Sequence, residues 1–125
     1  GLLEEILRIL RPGGIIVVVV PHFSNSFYYS DPTHRQFFGL YTFAYFFRTS
    51  LFRRKVPDYA QISNGLLEAV TLGFRSYRPR FLSHGIRRCV GALVNLAPVL
   101  QEVYEESFTG FLSCYEVTYV VRKSS

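Results

Sequence analysis

Six consecutive β-branched residues, Ile15 to Val20, stand between a Pro12-Gly13-Gly14 turn and Pro21. A strand made of them has no polar face. Such a strand belongs in the middle of a parallel sheet covered by helices on both faces. Pro21 has no N–H to give to a ladder, so the strand is expected to stop there. Residues 21 to 41 then form a long irregular connection rich in aromatics and in Ser, Asn, Asp and Pro. A loop of that length inside a compact domain is usually functional. The chemistry is therefore expected just past the end of the strand.

Upstream, Leu2, Leu3, Ile6, Leu7 and Leu10 fall on one helical face, with Glu4 and Arg8 as a supporting pair on the other. Arg11-Pro12-Gly13-Gly14 stops that helix. The two glycines do not make a nucleotide loop. Phosphate-cradling glycines follow a strand and open a helix, whereas these precede one and lie at the opposite edge of the sheet.

Downstream, Thr42 is expected to cap a short aromatic helix, Phe43 to Phe47, that is buried or laid over a pocket. Residues 48 to 60 read as a basic, irregular surface segment. Ser63 is expected to cap a helix from Asn64 to Leu72, stopped by Gly73. Phe74 to Leu82 alternates as a strand that Pro79 restricts to an edge or a bulge. Ile86 to Leu96 has helical spacing, and Pro98 opens a further helical turn reaching Glu106. Cys114 to Arg122 alternates and closes the chain as a strand.

At 125 residues the chain is one domain at most, with a hydrophobic share of 49% that excludes disorder. The six-residue apolar run is too short to span a bilayer, and no charged-then-apolar leader opens the chain. Cys89 and Cys114 have no metal-type spacing and no feature that would activate a thiol, so reduced thiols in a cytoplasmic protein are expected. There is no Met, and Gly1 is followed at once by a helical pattern, so a piece of a longer chain is expected. Net charge is +5, and from Arg35 to Arg88 ten basic residues face only Asp58 and Glu68. Arg forks suit carboxylate and phosphate, which points to an anionic substrate or partner; a solvated basic face reads equally well.

The stretch LLEEILRILRPGGIIVVVVPH resembles the helix, Pro-Gly-Gly turn and fifth strand of class I S-adenosylmethionine-dependent methyltransferases of the type 11 kind. SNGLLEAVTLGFRSY is similar to the later helix that ends at Gly-Phe before the sixth strand, and CYEVTYVVRK to the terminal seventh strand. PHFSNSFYYSDPTHRQFFGLYTFAYF is similar to a subgroup with a Pro-His, Asp-Pro-Thr-His and aromatic-helix pattern. The resemblance covers nearly the whole chain. It implies an α/β fold: the carboxyl-terminal half of a Rossmann-like methyltransferase sheet, strands five, six and seven with flanking helices, forming one partial domain over 1–125. It also implies that the terminal strand lies antiparallel between the other two. In the family, S-adenosylmethionine sits on a Gly-rich turn after the first strand, and an acidic residue after the second holds its ribose. Neither has a counterpart here, so the cofactor site is expected to be incomplete. The half-sheet must then be completed by an upstream cofactor-binding half or by self-association.

Methyl transfer is an in-line displacement in which the protein mainly positions the acceptor, with a base where a proton must leave. His22 and His34 are the candidate catalytic groups. Phe23, Asp31, Arg35, Tyr28 and Tyr45 are candidates for acceptor binding: Asp31 for proton handling, Arg35 as an anion clamp, and the tyrosines, with Tyr29 and Phe43, as pocket walls. Each has a structural counterpart. Asp31-Pro-Thr is a common turn whose carboxylate caps nearby N–H groups, and His34 can hold that loop shut. The aromatics suit a core. His22, Asp31 and His34 also compose a metal-ligand set, although the resemblance implies no metal. The expected function is the substrate-side portion of a methyltransferase acting on an unidentified acceptor. The alternatives are a non-catalytic self-associating or partner-binding half-domain and, third, a basic module on nucleic acid whose binding would weaken steeply with salt.

Overall fold

The computed structural model describes residues 2–25, 30–33, 36–56, 62, 64–74 and 82–124, with the backbone alone for 82–84. The chain runs through helix α1 (Leu2–Ile9), strand β1 (Ile15–Pro21), a 3-10 turn (Thr42–Tyr45) and strand β2 (Gly65–Gly73). Helices α2 (Leu82–Val94) and α3 (Pro98–Ser107) follow, and strand β3 (Glu116–Lys123) ends it. The result is a small α/β protein around a three-stranded sheet of order β1-β3-β2, with β3 antiparallel to both neighbours.

α1 ends where expected. Gly13 takes φ +80°, open to glycine at little steric cost, and its N–H bonds the Lys123 carbonyl. The Lys123 ammonium donates to the Leu10 carbonyl at 2.7 Å, satisfying an orphan acceptor of the last helical turn. Arg8 pairs with Glu5, three residues back, rather than with Glu4.

The register sorts the sheet into two faces. Ile16–Val121–Leu67, Val18–Tyr119–Val70 and Val20–Val117–Leu72 form three inward rows. Against them pack Leu7 from α1, Phe43 and Phe47 from the aromatic turn, Val94 from α2 and Tyr104 from α3. Phe43 stacks on Tyr119 at 4.0 Å, the two rings nearly parallel. On the other face Ile15, Val17 and Val19 stay 47%, 60% and 55% exposed.

Three expectations are corrected. The Ile15–Val20 strand is not central in a parallel sheet with cover on both faces. Its one partner among the described residues is the antiparallel β3, because β2 joins the sheet on the far side of β3. Residues 65–73 are a strand, not a helix. A bulge between Leu67 and Ala69 inserts Glu68 as an extra residue, so Leu67 and Val70, three apart, face the same way. That spacing imitates one helical face. Of the strand expected over Phe74 to Leu82, Phe74 follows β2, Leu82 opens α2, and residues 75–81 lie outside the described residues. Ser63, the expected cap, also lies outside them. Thr42 does not cap the aromatic turn, whose first flanking residue is Tyr41; its hydroxyl instead accepts the Gly39 N–H.

Candidate functional site

β1 ends at Pro21, and the next residue still touches the ladder, the His22 N–H donating to the Tyr115 carbonyl at 3.2 Å. The chain then turns sharply. Asn25 donates its backbone N–H to the His22 carbonyl and its side-chain amide to Tyr115, while the Phe23 N–H reaches the Phe38 carbonyl. These bonds bury His22 completely and stack its ring on Phe23, with centroids 4.3 Å apart.

Ser24 decides which nitrogen of His22 carries the proton. Its hydroxyl oxygen accepts the Cys114 N–H at 2.8 Å, while its backbone N–H and its hydroxyl both lie within reach of His22 Nδ1, at 3.1 and 2.8 Å. Nδ1 is thus an acceptor, and the network assigns the proton of the neutral ring to Nε2. That Nε2 is buried, has no hydrogen-bond partner among the described residues, and lies 3.9 Å from Oε1 of Glu105. Burial lowers the His22 pKa to about 4, so the ring is neutral at pH 7.

Glu105 comes from α3. Pro98 opens this helix after an extended Ala97, and its inner side presents Gln101, Glu102 and Tyr104 to the sheet. The Glu105 carboxylate accepts the Leu40 N–H at 3.0 and 2.8 Å. A side chain at position 39 would come within van der Waals overlap of that carboxylate, which is why a glycine precedes Leu40. Burial raises the Glu105 pKa to about 7, against the opposing pull of the Leu40 N–H and Arg54.

One turn earlier, Glu102 accepts the Tyr41 hydroxyl at 3.0 Å and the backbone N–H groups of Arg53 and Arg54 at 3.2 and 3.0 Å. Burial pushes this carboxyl up, but the N–H groups of Arg54 and Arg53 and the Tyr41 hydroxyl outweigh it and leave the pKa lowered. Glu102 therefore pins the 53–54 backbone against α3. The Arg54 guanidinium lies over the Tyr41 ring, 4.8 Å from its centroid.

These groups line an open cleft of about 700 Å³ just beyond the carboxyl end of β1. Phe23, Tyr41, Val99 and Val103 supply its less polar wall; Arg53, Arg54, Glu102, Glu105 and Glu106 supply the charged one. A carboxyl group titrating near neutrality on such a wall can accept a proton from a bound molecule and return it.

Of the residues singled out in the sequence, Phe23 lines this cavity, and His22 lies directly behind Glu105. Asp31 accepts the Thr33 N–H at 2.9 Å and the Thr33 hydroxyl at 2.7 Å, the turn-capping arrangement. Tyr45 is half-buried on the aromatic turn and, like Asp31, is not on the cavity wall. Tyr28, Tyr29, His34 and Arg35 lie outside the described residues. Glu102 and Glu105 are cavity side chains that sequence reasoning passed over. Their one signal is the three-residue spacing that puts two carboxylates on the helical side carrying Gln101 and Tyr104.

Among the described residues no three His, Cys, Asp or Glu side chains are grouped as metal ligands would be. Cys114 is buried, donates its thiol to the Gly73 and Glu116 carbonyls, and has its pKa pushed up to about 12 by burial, the reverse of an activated nucleophile. No helix among the described residues is long and apolar enough to cross a membrane.

Fold and site together define a small α/β protein with a cavity of mixed charge near the carboxyl end of its first strand. No family model, no curated protein and no solved structure matches the chain.

Proposed function

We propose that these residues are the acceptor-side portion of an S-adenosylmethionine-dependent methyltransferase, with the cavity as the acceptor pocket and Glu105 as its proton-accepting group. The observation that carries this reading is the strand order. The resemblance implied a terminal strand inserted antiparallel between two others, and the order β1-β3-β2 has that arrangement, with Gly65–Gly73, which the resemblance gave to a helix, as the second flanking strand. The cavity's position adds support, since ligands in open α/β sheets bind beyond the carboxyl ends of strands.

The cofactor itself does not fit this chain alone. The Gly13 N–H is given to Lys123 and the Gly14 N–H to Arg11, and both glycines lie at the amino-terminal end of β1, away from the cavity. The chain's own contribution is to orient an acceptor between the charged and apolar walls and to take its proton at Glu105.

Calorimetric titration of S-adenosylmethionine tests the reading. The 125-residue chain is expected to bind it weakly or not at all, and a longer natural chain containing these residues to bind at micromolar strength, about −8 kcal/mol. Absence of binding by the longer chain would overturn the proposal.

A second reading, a non-catalytic half-domain that associates with itself or a partner, is favoured by the exposed Ile15, Val17 and Val19 on a strand that, among the described residues, pairs on one side only.

A further inference from the structure

Resting on the reading of the cavity as an acceptor pocket, we infer that the molecule it takes is a small, partly apolar hydroxy acid. The carboxylate of that molecule lies on Arg53 and Arg54, and its hydroxyl faces Glu105.

Arg53 and Arg54 both line the cavity, and neither guanidinium forms an ion pair with a carboxylate among the described residues. Glu102, on the same wall, is already engaged by three donors: the two backbone N–H groups and the Tyr41 hydroxyl. That bonding leaves both forks available while holding their backbone still, and Arg54 is steadied further by the Tyr41 ring. Planar forks with a fixed base suit a carboxylate, which they bind through paired, charge-assisted hydrogen bonds.

The other end of the ligand is set by Glu105. Its carboxyl group is nearly buried and already accepts the Leu40 N–H with both oxygens, and His22 behind it is neutral at pH 7. An ammonium would need a fully ionised carboxylate there, whereas burial holds the Glu105 pKa at about 7. A hydroxyl needs only one acceptor oxygen and carries no charge. Between the two ends, Phe23, Val99 and Val103 offer apolar surface to a ring or a short aliphatic body. A volume of about 700 Å³ accommodates a molecule of one or two rings.

The test is binding of 4-hydroxybenzoate to the 125-residue chain at pH 7, followed by calorimetry and by ligand-detected NMR, with phenol, benzoate and tyramine as comparison probes. Because no methyl donor is present, the outcome is independent of whether the chain belongs to a methyltransferase. Failure here beside S-adenosylmethionine binding by a longer chain would remove the ligand class and leave the enzyme reading standing. Success here without that binding would do the reverse. The expected result is 4-hydroxybenzoate binding about ten-fold tighter than phenol or tyramine. Arg53→Gln with Arg54→Gln, both on exposed side chains, should remove that margin, and Glu105→Gln should shrink the preference for 4-hydroxybenzoate over benzoate. Tighter binding of tyramine, equal affinity in the double arginine variant, or no binding at roughly 10 mM probe would overturn the inference.

Discussion

His22 and Glu105 face each other with opposite acid–base displacements, so the pH dependence of stability can report on both. Glu105 titrates near 7 when folded against an ordinary value of 4.5, and between those values the folded chain holds a proton that the unfolded chain has lost. Its contribution therefore falls as pH rises from 4.5 to 7. His22 titrates near 4 when folded against 6.5, and between those values the unfolded chain holds the extra proton. Its contribution falls as pH drops from 6.5 to 4. Each effect is on the order of 3 kcal/mol at its limit, and across the shared window the two slopes oppose. Denaturant unfolding at several pH values between 4 and 7 should thus show opposite deviations from the parent chain. Glu105→Gln should lose stability more steeply toward acid, and His22→Asn more steeply toward neutrality. Identical slopes in all three proteins would refute the pairing. Only half of this pair was legible in the sequence. His22 stands out because Pro21 must end a strand and the next residue must lie at its carboxyl end. Glu105 reads as a solvated helical carboxylate until the Leu40 N–H, 65 residues away in sequence, turns it inward.

The second strand shows how an element can be built from side chains as well as backbone. β2 pairs with β3 along one side; on the other, the Asn95 side chain acts as a surrogate strand residue. Its oxygen accepts the Leu72 N–H at 2.9 Å and its amide donates to the Leu72 carbonyl at 2.7 Å. The Gln101 amide reaches the Val70 carbonyl and Asn95 Oδ1 as well, and nearer the strand's start the Leu67 N–H donates to the Arg48 carbonyl, so α3, the turn after α2 and residue 48 share the edge. Leu72 is almost fully buried, and its backbone groups would have no easy route to water without Asn95. Asn95→Ala should therefore destabilise the chain by about 2–3 kcal/mol. Asn95→Asp keeps the acceptor, loses the donor and should fall between. A change below about 0.5 kcal/mol in Asn95→Ala by chemical denaturation would mean that water replaces the side chain at no cost. Along the chain, α1, α3 and β3 were legible from one clean period and β1 from an unbroken β-branched run between a Pro-Gly-Gly turn and Pro21. β2 was not, because its bulge shifts an alternating pattern by one residue and makes Leu67 and Val70 look helical. Periodicity carries no mark that separates a bulged strand from a short helix.

At the scale of the whole molecule, the sheet is closed on one side and open on the other. Asn95, Gln101 and the Arg48 backbone cover the β2 edge, whereas among the described residues β1 pairs on one side only and presents Ile15, Val17 and Val19 on the bare face. The run of six β-branched residues did foretell two apolar faces; the described structure covers one, and what covers the second separates the two functional readings. If a longer chain supplies a neighbouring strand and overlying helices, that longer chain has no reason to self-associate through β1. If the 125 residues act alone, antiparallel pairing of two β1 strands is the simplest closure, because a two-fold axis lets the same strip meet itself. Burying each exposed Ile or Val contributes about 1.5 kcal/mol, so six of them do little more than match an association cost on the order of 4–15 kcal/mol. The expected dimer is weak, with a dissociation constant of roughly hundreds of micromolar. Sedimentation velocity over a wide concentration range should show reversible association of the 125-residue chain. Val17→Lys puts a charge on a side chain already 60% exposed, so it should leave the melting temperature nearly unchanged and make the chain monomeric. A parent chain that stays monomeric at millimolar concentration would remove the self-associating reading. Association that survives Val17→Lys would move the contact away from β1, and the bare face would then be left for a strand and helices from elsewhere.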